Sequence, residues 1–183
     1  MNAAGNAGVV TGSITYAGSF SGYSVLYRAL TGADAGRIQT GQGALLIPYI
    51  PKGDVSLLGT RGELFAVELP AGEYEFYSWS VGSGFADVRP TSPFSVTFIV
   101  IPGKVMYVGN FHFRQTASMG LTVTGVQVDY VDRAERDLPL LSKKYPTLAA
   151  AGIDVGLERG AAYEQLGGPH ATTITIPVPI PVR

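Results

Sequence analysis

Apolar and polar residues alternate with a period of two along most of the chain, which predicts strands rather than helices. The segment 10–16 is typical, because apolar side chains and hydroxyls fall on opposite sides of it. Val10, Gly12, Ile14 and Tyr16 share one side, and Thr11, Ser13 and Thr15 share the other. The same alternation recurs in residues 23–30, 64–69, 74–81, 94–100 and 105–113.

Proline and glycine divide these segments. Pro70-Ala71-Gly72 separates 64–69 from 74–81 and predicts a hairpin turn, and Pro102-Gly103 predicts another turn. The apolar run 44–50 is limited by two prolines, which do not fit a central strand. In 121–130 the apolar face slips by one residue at Gly125. Because such a slip would turn the face outward, we predict a β-bulge at or next to Gly125.

Residues 132–145 break the β pattern and predict one short helical segment. Asp132 and Glu135 have the spacing of a capping box. Pro139 is expected to split this segment into two turns or to mark a first-turn position, and Pro146 is expected to end it. Apolar residues at helical spacing follow: Leu138, Leu140, Leu141 and Tyr145.

At least seven short strands with frequent turns, and no helix after each strand, predict a mainly β fold. We expect an antiparallel Ig-like or transthyretin-like β-sandwich with the helical segment 132–145. A single domain is expected over 9–168. Residues 1–8 are expected to be flexible, and the Pro-rich segment 169–183 to form an extended strand or tail.

Composition excludes several classes of function. Lys and Arg total 13 against 14 Asp and Glu, so no basic excess favours binding to nucleic acid. There is no cysteine, which excludes disulfides and thiol chemistry. No phosphate-loop or dinucleotide motif follows the glycine pairs, so no cofactor is expected. No apolar run approaches the length of a transmembrane helix.

Three stretches together carry a resemblance to known families: Val9–Tyr16, Leu69–Phe76 and Phe98–Phe111. They are similar to transthyretin-like and carboxypeptidase-regulatory-like β-sandwich domains, and more closely to bacterial cell-envelope proteins, often lipoproteins, of unassigned function. The last likeness includes Lys143-Lys144-Tyr145-Pro146 after an acidic helix. The resemblance covers about residues 9–148. It implies an extracytoplasmic location in the periplasm or cell envelope, with the leader or lipidation cysteine absent from this sequence, and it implies no catalytic residue.

Candidate chemistry is sparse. His112 and His170 are the only histidines, and no nucleophile elbow occurs, so no catalytic residue is predicted. His112 alternates with Phe111 and Phe113, which predicts a solvent-facing position. Asp129, Asp132 and Glu135 form an acidic group at a strand end. Calcium favours such oxygens, but capping and solvation explain the group without a metal.

Two aromatic residues are the candidate ligand contacts. Tyr77 and Trp79 lie on one side of their segment, opposite Tyr74 and Phe76. If the latter pair faces the core, Tyr77 and Trp79 face outward, where they would stack on a sugar ring or receive a protein partner, or else face a second layer that covers them.

The predicted function is therefore a non-enzymatic extracytoplasmic domain that binds or scaffolds, with a protein or glycan partner at the cell envelope. One alternative is a carbohydrate-binding module. Another is an envelope-polymer hydrolase that uses carboxylates near 129–137. The C-terminal strand is a candidate surface for self-association, and a lipid anchor in a longer precursor is compatible with the resemblance.

Overall fold

A computed structural model describes residues 5–41 and 53–175 of the chain. Thirteen strands and two helices lie within these residues. The strands are β1 (Ala7–Ala17), β2 (Gly22–Ala29), β3 (Ala35–Thr40), β4 (Val55–Leu57), β5 (Thr60–Pro70), β6 (Gly72–Ser83), β7 (Ala86–Pro90), β8 (Val96–Val100), β9 (Val105–Met119), β10 (Thr122–Val131), β11 (Ile153–Val155), β12 (Ala162–Tyr163) and β13 (His170–Ile174). The helices are α1 (Ala134–Lys144) and α2 (Pro146–Ala150). The predicted mainly β fold is confirmed.

The strands form two sheets. The first has the order β12-β10-β9-β1-β5-β4, with β11 also beside β9; the second has the order β13-β7-β6-β2-β3, with β8 also beside β6. Most pairs are antiparallel, but β9 runs parallel to both β1 and β11. The first sheet is therefore mixed. β1 is the first strand of the described chain, and it lies between β5 and β9 without forming a hairpin with either.

The sheets face each other across one apolar core. Both contribute large buried side chains, including Ile14 and Phe111 from the first sheet and Phe76 and Trp79 from the second. The other face of the first sheet is covered by α1. There Leu141 packs with Leu64 and Tyr107 in a second, smaller apolar cluster. The arrangement is thus helix, sheet, sheet, and α1 covers the outer face of the first sheet.

The turn at Pro70-Ala71-Gly72 does not form the expected hairpin. It joins β5, which pairs with β1 and β4, to β6, which pairs with β2, β7 and β8 in the other sheet. The prediction was wrong because local turn chemistry is the same for a hairpin and for a crossing between packed sheets.

The bulge predicted near Gly125 is confirmed. The register between β10 and β9 shifts on both sides of Gly125, which pairs with Ala117. Val123, Val126 and Val128 consequently all reach the core despite their irregular spacing. A Cβ at residue 125 would lie 2.8 Å from the Thr116 hydroxyl, so glycine also permits the close approach of the two strands.

Two further bulges were not predicted, and they reverse two expected faces. Tyr77 is the extra residue of β6, since Phe76 pairs with Tyr27 and Ser78 with Leu26. Trp79 therefore turns into the same core as Phe76 and is 1% exposed. Its expected position on the side opposite Tyr74 and Phe76 was wrong, because a one-residue insertion changes the phase of every later side chain.

The second bulge lies at Gly109 in β9, where φ is +102°. Between Thr11 and Ser13, β9 advances one residue more than β1. Tyr107 consequently faces α1, whereas Phe111 faces the core between the sheets. The sequence pattern had placed both on one face, and the left-handed conformation available to glycine explains the difference.

The helical segment is close to its expected bounds, with Pro146 starting the separate short helix α2. Pro139 lies inside α1 and does not split it. The capping box is absent. Arg133 occupies the N-cap position with no side-chain cap bond, and Glu135 is exposed. Asp132 instead accepts a hydrogen bond from the Ala134 backbone N–H through Oδ1, at 2.9 Å.

The C-terminal part of the described chain pairs as a strand, with β13 antiparallel to β7 at one edge of the second sheet. The Pro-rich residues 176–183, the apolar run 44–50 and the first four residues lie outside the described ranges. Within residues 5–41 and 53–175, neither helix has the length and apolar character needed to cross a bilayer.

Candidate functional site

A buried carboxylate holds α1 against the first sheet. Asp137 is fully buried under the first turns of α1. Its Oδ2 accepts hydrogen bonds from the Ser13 hydroxyl at 2.6 Å and from the Tyr107 hydroxyl at 2.8 Å. Its Oδ1 accepts one from Arg136 Nε at 2.7 Å. Three donors, one of them a cation, thus compensate the desolvation of the charge.

The alternation of β1 places its hydroxyls in this cluster. Asn110 Nδ2 donates to Ser13 Oγ at 2.8 Å and to Thr15 Oγ1 at 3.0 Å. Ser13, Thr15 and Asn110 are all buried. Burial is the main cause that raises the pKa of Tyr107 far above 10, and the neighbouring carboxylate of Asp137 raises it further. The raised pKa agrees with the role of the Tyr107 hydroxyl as a hydrogen-bond donor to Asp137.

His112 lies at the edge of this cluster and is half-buried. Its Nδ1 is 2.9 Å from Thr15 Oγ1, and it pairs across the strands with Asp129. It faces away from Phe111 and Phe113, as predicted, but it is less exposed than expected. Burial lowers the pKa of His112, Asp129 opposes this, and nearby arginines, including Arg114, lower the pKa further.

Thr15, His112 and Asp129 do not form a usable catalytic triad. The Thr15 hydroxyl is fully buried and already contacts Asn110. Asp129 is bound elsewhere, with its Oδ2 accepting from Arg114 Nε at 3.0 Å. A nucleophile must reach a substrate carbonyl while its base takes the proton, and this hydroxyl has no such access.

A cleft of about 680 Å³ opens between the N-terminal part of α1 and the segment 155–160. Asp132 joins its two walls, since Oδ2 accepts from the Gly160 backbone N–H at 3.0 Å while Oδ1 binds the start of α1. Both walls contribute apolar side chains, Leu138 from α1 and Val155 and Leu157 from the segment 155–160. The cleft therefore has walls held by hydrogen bonds and a partly apolar interior.

The rim of the cleft carries three arginines: Arg133, Arg136 and Arg159. Arg136 is held in place by Asp137 and by Ser13 Oγ, 3.1 Å from Nη2. Arg133 and Arg159 are exposed, and no hydrogen bond or ion pair joins their side chains to another described residue. Guanidinium groups bind carboxylates and phosphates in a bidentate manner, so two of these groups are available to an anionic ligand.

The three carboxylates proposed from the sequence are separated by their contacts. Asp129 is buried beside Arg114 and also accepts from Gln127 and from the Gln165 backbone N–H. Asp132 is occupied by backbone N–H groups, and Glu135 is exposed at the cleft. Among residues 5–41 and 53–175, no group of three or more acidic or histidine side chains is arranged to hold a metal ion.

The aromatic candidates also lie apart. Trp79 Nε1 donates to the Leu166 carbonyl at 2.7 Å inside the core, so its ring presents no face to solvent. Tyr77 is half-buried on the outer face of the second sheet, and the guanidinium of Arg28 lies 4.6 Å from its ring centre. Neither residue lines the cleft.

Sequence reasoning missed the cleft because it is made by residues distant in the chain. Arg136 comes from α1, Arg133 from the N-cap position before it, and Arg159 from an irregular segment after β11. For the buried cluster around Asp137, which was also missed, one signal was present: an isolated glycine in a strand pattern, Gly109, which indicates a bulge. That bulge would have placed Tyr107 and Asn110 on the helix-facing side of β9.

Comparison with known proteins places the chain in no family. No family model matches it, and no curated protein matches it. A leucine-rich repeat protein of Bacteroides thetaiotaomicron is similar to it at 20% identity, with a TM-score of 0.33. That likeness covers 58% of this chain and 14% of the other, and its low TM-score carries no argument about fold or function.

Proposed function

We propose that this chain is a non-enzymatic binding domain and that its ligand site is the cleft between α1 and the segment 155–160. The observation that carries the proposal is the pair of exposed arginines, Arg133 and Arg159, beside apolar lining residues in a cleft of about 680 Å³. Ligand pockets combine such an apolar lining with a few polar groups that fix orientation.

The chemistry of the lining favours an amphiphilic anion. A carboxylate or phosphate would contact Arg133 and Arg159, while a short apolar group would contact Leu138, Val155 and Leu157. Asp132 and Glu135 offset part of the positive charge, which disfavours a highly charged polyanion. Arg136, already bonded to Asp137, contributes a fixed donor geometry rather than a free charge.

The contacts of the carboxylates support a binding role over hydrolysis. An acid–base pair of carboxyl groups needs oxygens free to meet substrate and water. Both oxygens of Asp129 and of Asp132 accept hydrogen bonds within the fold. Glu135 is the remaining carboxylate at the cleft, and one such group does not supply both roles.

We further propose that the domain is extracytoplasmic, in the periplasm or cell envelope, and that its two sheets belong to the Ig-like or transthyretin-like class. The support is the resemblance of residues 9–148 to envelope proteins of that kind. A protein or glycan partner and a lipid anchor in a longer precursor belong to the same proposal. Because Trp79 lies in the core, Tyr77 is the remaining aromatic candidate for contact with a glycan.

Hexyl phosphate and hexanol form a matched pair of probes, one anionic and one neutral. In a titration followed by amide ¹H–¹⁵N spectra, hexyl phosphate should shift the amides of Ala134, Glu135 and Gly160. It should bind at least about fivefold more tightly than hexanol, since a charge-assisted hydrogen bond contributes roughly 1.5–3 kcal/mol before solvent screening. Equal affinity for the two probes would contradict the proposal.

The double variant Arg133→Gln/Arg159→Gln should lose this preference for the phosphate. Arg37→Gln is the matched control, because Arg37 is an exposed arginine on β3 in the other sheet. It should leave both affinities unchanged. Phosphorus spectra of the same samples test the non-enzymatic part, and release of inorganic phosphate in proportion to protein would overturn it.

A further inference from the structure

One end of the two-sheet body carries a concentration of exposed apolar side chains on its turns. Tyr16 stacks on Tyr23 with ring centres 4.5 Å apart, which places the end of β1 level with the start of β2. Tyr16 pairs with Arg61 and Tyr23 with Val81. The turns that follow β4, β6 and β9 therefore all lie at this end, called here the turn end.

Six of the eleven large apolar side chains exposed in residues 5–41 and 53–175 lie at the turn end. Leu58 is fully exposed, Leu121 is 79% exposed and Phe85 is 62% exposed. The six come from three turns and from the end of β13: Leu57, Leu58, Phe85, Met119, Leu121 and Ile174.

Hydrogen bonds bring several of these turns together. The Val123 backbone N–H donates to Ser83 Oγ at 2.9 Å, which joins the start of β10 to the end of β6. The Thr175 backbone N–H donates to the Phe85 carbonyl at 2.9 Å. Phe85, Leu121 and Ile174 therefore project from a connected framework rather than from independent loops.

Among the described residues, the segments that form the turn end carry no charged side chain. The segments 17–23, 55–60, 78–86, 115–128 and 171–175 contain no Asp, Glu, Lys or Arg. The charged side chains that directly flank these segments are Asp54, Arg61, Asp87, Arg114 and Asp129, and Asp87 is paired with Arg89. With these uncharged segments in the acyl region of a bilayer, the charged side chains behind them would lie at the level of the headgroups.

The shape of this end favours a lipid surface over a protein partner. At protein interfaces the large side chains of each surface fill pockets in the other. A protein partner would therefore require pockets on the turn end. The hollow between the turns is lined by small or polar side chains of residues 17–19 and 115–118. The large apolar side chains are exposed to solvent and do not line this hollow, and a fluid apolar phase accommodates them without complementary pockets.

We propose that the turn end inserts its apolar side chains into the interfacial region of a lipid bilayer, with Leu57, Leu58, Phe85 and Leu121 as the main contacts. The depth is that of a peripheral protein, about 5–10 Å. This surface is separate from the arginine-rimmed cleft, so each proposal is tested without the other.

Sedimentation of the full chain with large vesicles is the direct test. Vesicles of phosphatidylcholine alone, and of phosphatidylcholine with 30% phosphatidylglycerol, should both bind it, because the contact is apolar rather than electrostatic. The double variant Leu57→Ser/Leu58→Ser, and separately Phe85→Ser, should each reduce the partition coefficient about tenfold or more. Ile99→Ser is the matched control, since Ile99 is an exposed apolar residue on β8, distant from this end.

The depth of insertion has its own readout. Trp79 is the only tryptophan and is buried, so Phe85→Trp adds a reporter at the turn end. Its emission should shift to the blue on vesicle binding and should be quenched by lipids brominated near the glycerol backbone. Failure of the wild-type chain to sediment with either vesicle would overturn the proposal. An equal decrease in the partition coefficient of Ile99→Ser would also overturn it. So would the finding, by ultracentrifugation, of a dimer that does not bind vesicles and that Leu58→Ser converts to a monomer.

Discussion

Asp137→Ala is the substitution that tests most directly how α1 is attached to the first sheet. Asp137 is fully buried and accepts hydrogen bonds from Ser13, Tyr107 and Arg136. Alanine leaves all three donors without their acceptor, and Arg136 without its counter-charge. Removing one partner of a buried ion pair costs about 3–5 kcal/mol. The Arg136 side chain is 21% exposed and thus remains largely desolvated.

That cost is large for a domain of this size. Folded domains have unfolding free energies of about 5–15 kcal/mol, so the substitution removes a substantial part of the total. For a chain of 150–250 residues, each kcal/mol lowers the melting temperature by about 2–4 °C. We therefore expect a decrease of about 6–20 °C for Asp137→Ala. Asp137→Asn should have a smaller effect, since the amide oxygen still accepts one hydrogen bond.

Thermal and urea unfolding, followed by the fluorescence of buried Trp79, measure this effect. Asp87→Ala is the matched control, because Asp87 pairs with Arg89 on an exposed part of β7. Exposed ion pairs contribute less than about 1 kcal/mol. If Asp137→Ala is no more destabilising than Asp87→Ala, the reasoning about the buried carboxylate is refuted.

Four further substitutions test the bulges and the titration of the histidine. Trp79→Ala should cost about 3–5 kcal/mol of unfolding free energy and Tyr77→Ala about 1 kcal/mol, measured by urea unfolding with circular dichroism; similar costs would contradict the bulge in β6. Gly109→Ala should lower the melting temperature markedly, because φ is +102° and its Cβ would lie 2.9 Å from the Tyr130 ring; an unchanged melting temperature would contradict this geometry. The folded-state pKa of His112 is lowered by burial, so the unfolded chain binds more protons as the pH falls below about 6.5 and stability decreases. His112→Gln should therefore flatten the decrease in melting temperature between pH 7 and 5, and an unchanged slope would count against the burial of the imidazole.

The period of two was sufficient to predict β1 in detail. Val10, Ile14 and Tyr16 lie in the core, while Thr11 and Ser13 are buried on the opposite face. A regular strand has only two faces, so alternation alone assigns each side chain once one of them is known to be buried. The helix over 132–145 and the bulge near Gly125 were likewise accessible, because each breaks the alternation visibly.

Alternation assigned side chains to the wrong faces in strands where a bulge leaves the apolar pattern apparently regular. The alternation assigned Tyr74 and Phe76 to one face and Trp79 to the other. Because Tyr77 is an extra residue in β6, all three side chains lie in one core. The prediction that Tyr77 and Trp79 contact a ligand depended on that assignment of faces. In β9, Gly109 had the same effect, and it moved Tyr107 to the side where Asp137 binds it.

The sequence by itself determined that this chain is mainly β, and that residues 132–145 leave the sheets to form a helix. These properties follow from local alternation and from proline and glycine breaks, which act over a few residues. Only the tertiary structure decided which strands neighbour each other, including the parallel pairing of β1 with β9 across almost a hundred residues. It also decided that Ser13 meets Asp137, and that Arg133 and Arg159 share a cleft. Such contacts depend on the packing of distant elements, and a local pattern contains no information about which distant element will be adjacent.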